Sequence, residues 1–330
     1  MIKINVAVVG ATGLVGRTFL KILAEKKLNI ENLYCYASEK SDGIIIEYNN
    51  KPYTVQKLCE ENIINKKIDY ALFSAGSAVS VEFAPIFSKQ GTVVIDNSSA
   101  WRMNAEIPLV VPEVNPNDAF KHHGIIANPN CSTIQCMPPL KALDEKYSLK
   151  RVIFTTFQAV SGSGMKGIKD LELTTASKSP QFYPYPIFNN CLPHIDAFLE
   201  NGYTKEEMKM VNESRKILGK PDLPISATCV RVPIQNSHSI EIIAELDKDF
   251  EITDIVTTLK NFAGIIVLDD VSKNIYPLAT IATGHDEVYV GRIRRDLSNK
   301  NAVRIFCVAD NIRKGAASNA VQILELLLQK

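Results

Sequence analysis

The sequence lacks several things, and each absence narrows what the chain does. It has no excess of charge of either sign: 37 Lys and Arg stand against 36 Asp and Glu, a formal net charge of +1. A surface for nucleic acid or for an anionic membrane concentrates positive charge, so neither partner is expected. No apolar run approaches the roughly 20 residues that cross a bilayer. The opening MIKINVAVVG shows none of the three regions of a signal peptide and reads as a strand at once. Cysteines are few and scattered, at Cys35, Cys59, Cys131, Cys136, Cys191, Cys229 and Cys307, with no Cys-x-x-Cys pair. An odd, dispersed set argues against a disulfide framework and against a structural metal site, and fits reduced thiols in a cytoplasm. There is no internal repeat and no low-complexity segment.

What is present suits an ordinary globular chain. The 330 residues, 46% hydrophobic and 22% charged, are enough for two domains with large cores. The pattern predicts a strand over 3–9 running into Gly10-Ala11-Thr12-Gly13-Leu14-Val15-Gly16. A helix over 14–25 follows, with Val15, Phe19, Ile22 and Leu23 on one face. Strand, glycine-rich turn and helix open a dinucleotide-binding unit, in which backbone amides approach a pyrophosphate at the helix N-terminus. The spacing is GxxGxxG, and a tight turn without a ligand is the alternative.

A second strand, over 32–37, ends in Ala37-Ser38-Glu39-Lys40-Ser41. A unit for NAD often places an acid here for the ribose 2′-hydroxyl. Lys40 and the two hydroxyls suit a 2′-phosphate instead, which favours NADP, although Glu39 is an awkward neighbour and Lys40 also reads as a solvated loop residue. Strands over 68–74 and 93–96 run into Ala75-Gly76-Ser77 and Asn97-Ser98-Ser99-Ala100-Trp101-Arg102. Apolar strands ending in small polar residues fit the carboxyl edge of a parallel sheet over a cofactor. The Arg102 fork suits a phosphate or carboxylate, with a surface ion pair as the alternative. Short strands are expected over 107–111 and 124–127.

The second of these delivers Ala127-Asn128-Pro129-Asn130-Cys131-Ser132-Thr133. The Asn-Pro and Pro-Asn steps reverse the chain, and Ser132 and Thr133 are natural caps for a helix from 134 onward. A thiol at the first turn of a helix lies at the positive end of the macrodipole. An unperturbed thiol is only about 3% thiolate at pH 7, so a fall of one unit matters. A small buried residue at a helix start is the plain alternative. Pro138-Pro139 predict a kink or a restart.

A strand over 150–158 then begins a new sheet and ends in Gln158-Ala159-Val160-Ser161-Gly162-Ser163-Gly164. Helices are expected over 166–177, 204–218 and 253–262, the second with a capping box from Thr204 and Glu207. Strands are expected over 225–232, 239–246, 286–296 and 302–309. The final helix, over 316–329, is assigned back to the first domain. The fold class is therefore α/β: a discontinuous Rossmann-type domain, 1–131 and 313–330, plus an α+β catalytic and dimerisation domain, 132–312, with a mixed sheet.

Four features now coincide: Cys131, a lone His238 seven residues beyond Arg231, Gln158 before a Gly/Ser turn, and a nucleotide site. A thiolate with a hydride acceptor suits aldehyde oxidation through a hemithioacetal and a thioester, with His238 taking the proton. His122, His123 and His285 read as structural or surface groups, and Cys136 as packing.

The chain resembles the aspartate-β-semialdehyde dehydrogenase family. VAVVGATGLVG, SSAWRM, NPNCST, FQAVSGSG, RVPIQNSHS and DNIRKGAASNAVQI occur in order over nearly its whole length. The resemblance implies reversible NADPH-dependent reductive dephosphorylation of L-aspartyl-4-phosphate to L-aspartate 4-semialdehyde, toward lysine, methionine and threonine. It implies Cys131 as nucleophile, His238 as acid/base and Gln158 orienting the acyl intermediate. Arg231 would bind the substrate α-carboxylate and Glu206 its ammonium. Lys209, Arg102 and Asn130 would hold the phosphate, with Ser161 also at the substrate. NADP would contact Gly10, Thr12, Gly13, Leu14, Val15, Ala37, Ser38, Lys40, Ser41, Ser74, Ala75, Gly76, Asn97, Ser98, Ser161, Gly162 and Asn311. The other implied partners are inorganic phosphate and a second copy, as a homodimer or a dimer of dimers. Lys40 stands where many members carry arginine, which keeps the charge and loses the fork.

Two rivals remain. N-acetyl-γ-glutamyl-phosphate reductase shares the logic, but its substrate has no free ammonium to meet Glu206. A non-catalytic nucleotide-binding paralogue would not need Cys131, Gln158, Arg231 and His238 intact. A glyceraldehyde-3-phosphate dehydrogenase is disfavoured by the missing acid after the second strand.

Overall fold

The computed structural model describes residues 3–329. The chain forms two compact units, the residues up to Pro129 with those from Ala316, and Asn130–Gly315. Asn130, Cys131 and residues 313–315 thus belong to the second unit, a few residues from the boundaries read in the sequence.

The first unit is built on a six-stranded, all-parallel sheet. Its order is Gln56–Lys57, Ile30–Ala37, Ile4–Val9, Tyr70–Phe73, Val93–Asp96, Ile125–Ala127. The order reverses at Ile4–Val9, which makes that strand's carboxyl end the switch point where open α/β sheets bind ligands. Val6 and Val8 pack with Phe19, Leu23, Val321 and Leu324, and Ala7 and Val9 pack with Phe73 and Phe87 on the other face. Burial on both faces explains why the strands read as unbroken apolar runs. The helix Leu14–Glu25 lies where expected. The terminal helix, Ser318–Leu327, is preceded by a π-turn over Arg313–Ala317.

The strand expected over 107–111 is only an isolated bridge between Leu109 and Ala127. Pro108 and Pro112 flank it, and a proline has no N–H to extend a ladder. Several elements were not foreseen, among them the short strand Gln56–Lys57 and the short helix Glu60–Ile63. Another is a hairpin, Ile45–Tyr48 with Lys51–Thr54, turning on Asn49 and Asn50 at φ 49 and 59. Asparagine tolerates the left-handed conformation that such a turn requires. The longest of them is the helix Ser77–Lys89.

The second unit holds a mixed sheet in the order Ile225–Arg231, Leu149–Gln158, His238–Leu246, Ala302–Ala309, Val288–Arg295, Ile265–Val267. Its outer pairs are parallel and its inner pairs antiparallel. Register brings the site together. Arg231 lies opposite Gln158, and Ser239 lies opposite Phe157, so two strand ends and one strand start meet.

The helix Cys131–Tyr147 is continuous through Pro138 and Pro139, so the expected restart is absent. The prolines deprive the Ile134 and Gln135 carbonyls of their helical N–H partners. The Cys307 thiol donates to the Gln135 carbonyl at 3.3 Å and fills one of these vacancies. Both prolines are buried, so tertiary packing holds a helix that local propensity would break.

Candidate active site

Cys131 is the first residue of its helix, and Asn130 is the cap. The Asn130 side-chain oxygen accepts from the amides of Ser132 at 2.9 Å and Thr133 at 3.4 Å. The cap is thus Asn130, not Ser132 or Thr133: Asn130 is extended, at φ −62 and ψ 144, and its side chain reaches the second and third amides. Cys131 remains partly exposed, at the helix end where partial positive charge favours an anion. Its Sγ lies 3.3 Å from His238 Nε2. The other ring nitrogen, Nδ1, accepts the Ala159 backbone N–H at 3.0 Å. His238 is fully buried, and its pKa is lowered to about 3 by that burial and by the Arg231 guanidinium, with Glu206 opposing them.

Glu206 is the hub of the cluster. It lies in the helix Lys205–Leu218, whose capping box from Thr204 and Glu207 is present as read. Its Oε1 accepts from Asn130 Nδ2 at 2.9 Å and from Gln158 Nε2 at 3.1 Å. Its Oε2 accepts from Lys209 Nζ at 3.0 Å, and Lys209 also reaches Asp196 at 2.8 Å. Burial alone would raise the Glu206 pKa, but the Lys209 charge and these donors outweigh it and lower the value to about 2. Burial would likewise lower Lys209, and the two carboxylates raise it instead.

Arg231 is also buried. Its Nη1 donates to the Ala159 carbonyl at 2.6 Å, and its Nε has no partner among the described residues. A buried guanidinium N–H without an acceptor is costly unless a ligand supplies one. Space for a ligand is kept by Gly162, where a Cβ would come within 3.0 Å of Arg231 Nη1 and 3.2 Å of His238 Cε1. Ser161 and Asn311 are both buried and bonded to each other, with Asn311 Nδ2 donating to Ser161 Oγ at 3.0 Å.

Several contributors escaped sequence reading. Glu213, 1% exposed, accepts the Asn130 backbone N–H at 2.6 Å. Gln135 Nε2 donates to the His238 carbonyl at 3.1 Å. Gly315 packs on the nucleophile, since a Cβ there would lie 3.0 Å from Cys131 Cβ. Ser237, just before His238, holds φ 72. Only Ser237 had a local cue, because Asn236-Ser237 sits in a short turn between two strands.

In the first unit the residues fit a dinucleotide. Gly10 has φ +85, and a Cβ there would collide with the Ser74 carbonyl, so the two strand ends meet as only glycine allows. The helix Leu14–Glu25 has Gly13 at its cap with no side-chain acceptor, leaving its first amides open to an anion. Thr12 Oγ1 and Ser41 Oγ lie 3.4 Å apart, and Ser38 and Lys40 are exposed beside them in sequence. Glu39, the awkward acid, is held by Lys57 at 2.8 Å. Ala37 closes its strand, while Ala75 and Gly76 follow the strand Tyr70–Phe73 and Ser74. Ser98 Oγ donates to Asp96 at 2.6 Å, and Asn97 accepts from Asn128. Arg102 is buried, and it donates to the carbonyls of Asn128 at 3.0 Å and Asn97 at 2.8 Å.

The chain is similar to known proteins over its whole length. Residues 5–122 match the family model described as semialdehyde dehydrogenase, NAD binding domain, and residues 140–314 match semialdehyde dehydrogenase, dimerisation domain. The aspartate-semialdehyde dehydrogenase of Aquifex aeolicus is 52% identical over 99% of this chain and 98% of its own. That of Bacillus subtilis is 44% identical over 98% of this chain and 97% of its own. The crystal structure of aspartate semialdehyde dehydrogenase II of Vibrio cholerae complexed with ASA superposes with a TM-score of 0.96 at 40% identity, covering 100% of this chain and 99% of that one.

Proposed function

The chain belongs to the aspartate-semialdehyde dehydrogenase family, and from that premise we infer that it reduces L-aspartyl-4-phosphate reversibly to L-aspartate 4-semialdehyde and phosphate. The single observation that carries this reading is Cys131 Sγ at a capped helix start, 3.3 Å from His238. The thiolate attacks the acyl phosphate carbon, phosphate leaves, and the acyl group is held as a thioester. When bound, the nicotinamide dinucleotide supplies the hydride. The product serves the branch toward lysine, methionine and threonine.

Arg231 binds the substrate α-carboxylate, a role supported by its unpartnered Nε. Glu206 Oε2, which takes only Lys209 among the hydrogen bonds described above, is the oxygen for the substrate ammonium. Gln158 orients the acyl group. Lys209, Arg102 and Asn130 meet the phosphate, and Lys209 has a third ammonium N–H beyond those given to Asp196 and Glu206. NADP is held by the Gly10–Leu14 turn and by Ser38, Lys40 and Ser41, with Glu39 drawn aside by Lys57. Ser161, Gly162 and Asn311 line the nicotinamide side.

The enzyme works in the cytoplasm as a homodimer or a dimer of dimers. Supporting a second copy, one face of the mixed sheet leaves Ile153, Phe157, Ile243 and Phe306 half-exposed among Glu241, Glu245 and Arg304. No described helix is long and apolar enough to cross a membrane. The test is phosphate-dependent cofactor reduction from aspartate semialdehyde, run with NADP and with NAD. Turnover with NADP well above NAD is expected. No reduced cofactor in either arm sinks the reaction, and equal rates sink the NADP preference.

A further inference from the structure

We propose that Lys57, on the edge strand of the parallel sheet, is a positioning residue that decides the choice between the two dinucleotides: it neutralises Glu39 and holds that acid off the ribose, so that the turn after the second strand admits a 2′-phosphate. The inference rests on the reading of NADP as the cofactor of the first unit. An acid near the end of the second strand is the usual device for NAD, because it accepts from the ribose hydroxyls and repels a phosphate placed on one of them. Glu39 lies two residues past that strand's last residue, Ala37. Left unpaired, it would select against the cofactor that Lys40 and its hydroxyl neighbours suit.

Strand register puts the remedy in place. The strand Gln56–Lys57 pairs in parallel with the end of Ile30–Ala37, Gln56 opposite Tyr36 and Lys57 opposite Ala37. Lys57 therefore lies beside the turn that Ala37 feeds, and its Nζ reaches the Glu39 carboxylate at 2.8 Å. The backbone at Lys57 is fixed on both sides. Its carbonyl accepts from Asn62 Nδ2 at 2.9 Å, and the Asn62 carbonyl accepts from the hydroxyl of the buried Tyr36 at 2.9 Å. The next amide, Leu58 N–H, donates to the Ala37 carbonyl at 2.8 Å. The hydrogen bond from Glu39 and its charge raise the Lys57 pKa, so the ammonium stays charged.

The turn itself is sorted by charge. Glu39–Ser41 form a single turn of 3₁₀ helix, in which residues three apart eclipse. Glu39 and Asp42 thus share a face, and both carboxylates go to Lys57: Glu39 to its ammonium, and Asp42 Oδ1 to its backbone N–H at 2.8 Å. Ser41 turns the other way, with its hydroxyl 3.4 Å from Thr12 Oγ1 in the glycine-rich turn. One residue on the edge strand therefore gathers both acids, and a hydroxyl is left on the side of the dinucleotide. The effect is specific to NADP, since NAD carries no charge at the 2′ position for Glu39 to repel.

The test is calorimetric titration of the full enzyme with NADP and with NAD, at low and at high salt. The wild type binds NADP the tighter; no preference there overturns the NADP reading, and the proposal with it, before any variant is compared. Lys57→Met keeps the apolar stem and removes the charge. In that variant NADP weakens about tenfold, NAD holds or tightens, and the NADP deficit shrinks as salt screens Glu39. Adding Glu39→Gln to Lys57→Met restores NADP, because the repelling charge is gone. Lys57→Arg still pairs with Glu39 and keeps the wild-type selectivity. A double variant as weak as Lys57→Met would show that Lys57 grips the phosphate itself, which overturns the proposal. An equal loss of NADP and NAD, the mark of a merely structural prop, or no change at all in Lys57→Met overturns it as well.

Discussion

The two units build their functional surfaces from different material. In the first, the groups offered to a ligand are mostly backbone: strand ends, helix amides, and the glycines Gly10 and Gly76 at φ +85 and +88. The polar side chains beside them, Ser38 and Lys40, are exposed. In the second, the groups are side chains, and Glu206, Gln158, Arg231 and His238 are all 5% exposed or less. They are satisfied chiefly by one another and by the main chain. A backbone surface tolerates side-chain change around it. A buried polar network does not, because each deletion strands a partner.

Breaking the second surface therefore produces the largest effects. Cys131→Ala removes the nucleophile and abolishes turnover, while NADP binding, which rests chiefly on the first unit, persists in a fluorescence titration. A near-normal rate would refute the assignment. Glu206→Gln comes next, with kcat falling about 10²-fold, because Asn130, Gln158 and Lys209 lose a shared anionic acceptor. The same variant gives a pH signature. The folded Glu206 pKa is depressed to about 2, so its contribution to stability is present above the ordinary carboxylate value and is lost as pH falls through that window toward 2. Thermal unfolding of the wild type should weaken there more steeply than that of Glu206→Gln. Parallel curves would show that the carboxylate is not held as described. Arg231→Lys is milder, raising the substrate KM about tenfold with kcat less affected, since a point charge replaces a fork. A fall in kcat at unchanged KM would move Arg231 from binding to chemistry.

The same contrast explains what could be read in advance. The first unit's glycine turn, its helix Leu14–Glu25 and its apolar strands are local patterns, and they were legible. In the second unit the individual residues were legible and their wiring was not. Glu206 meets Asn130 across 76 residues and Gln158 across 48, and no local pattern encodes that meeting. The Ala159 amide carries no side-chain signal at all. Local rules failed where packing overrode them. Pro138 and Pro139 sit inside an intact helix because the Cys307 thiol answers one orphaned carbonyl and the packing of the two buried prolines holds the turn. Ser132 and Thr133 are cap-type residues, but Asn130 alone has extended backbone and a side chain of the right reach.

The smallest expected effect lies at Lys40, and it probes whether the first surface has any side-chain specificity. Lys40 lies in the short turn Glu39–Ser41, exposed, after a strand that ends without the acid suited to a ribose hydroxyl. Its neighbour Glu39 would repel a 2′-phosphate, but Lys57 holds that carboxylate at 2.8 Å. Lys40→Ala should weaken NADP binding several-fold, up to about tenfold, and leave NAD unchanged, because an exposed single charge is screened and contributes little. Lys40→Arg should tighten NADP alone, since a guanidinium can grip two phosphate oxygens at once. Dissociation constants for both dinucleotides decide the matter. If NAD and NADP shift together in either variant, Lys40 does not sit at the 2′-phosphate, and the first unit selects its cofactor through backbone and hydroxyl groups alone.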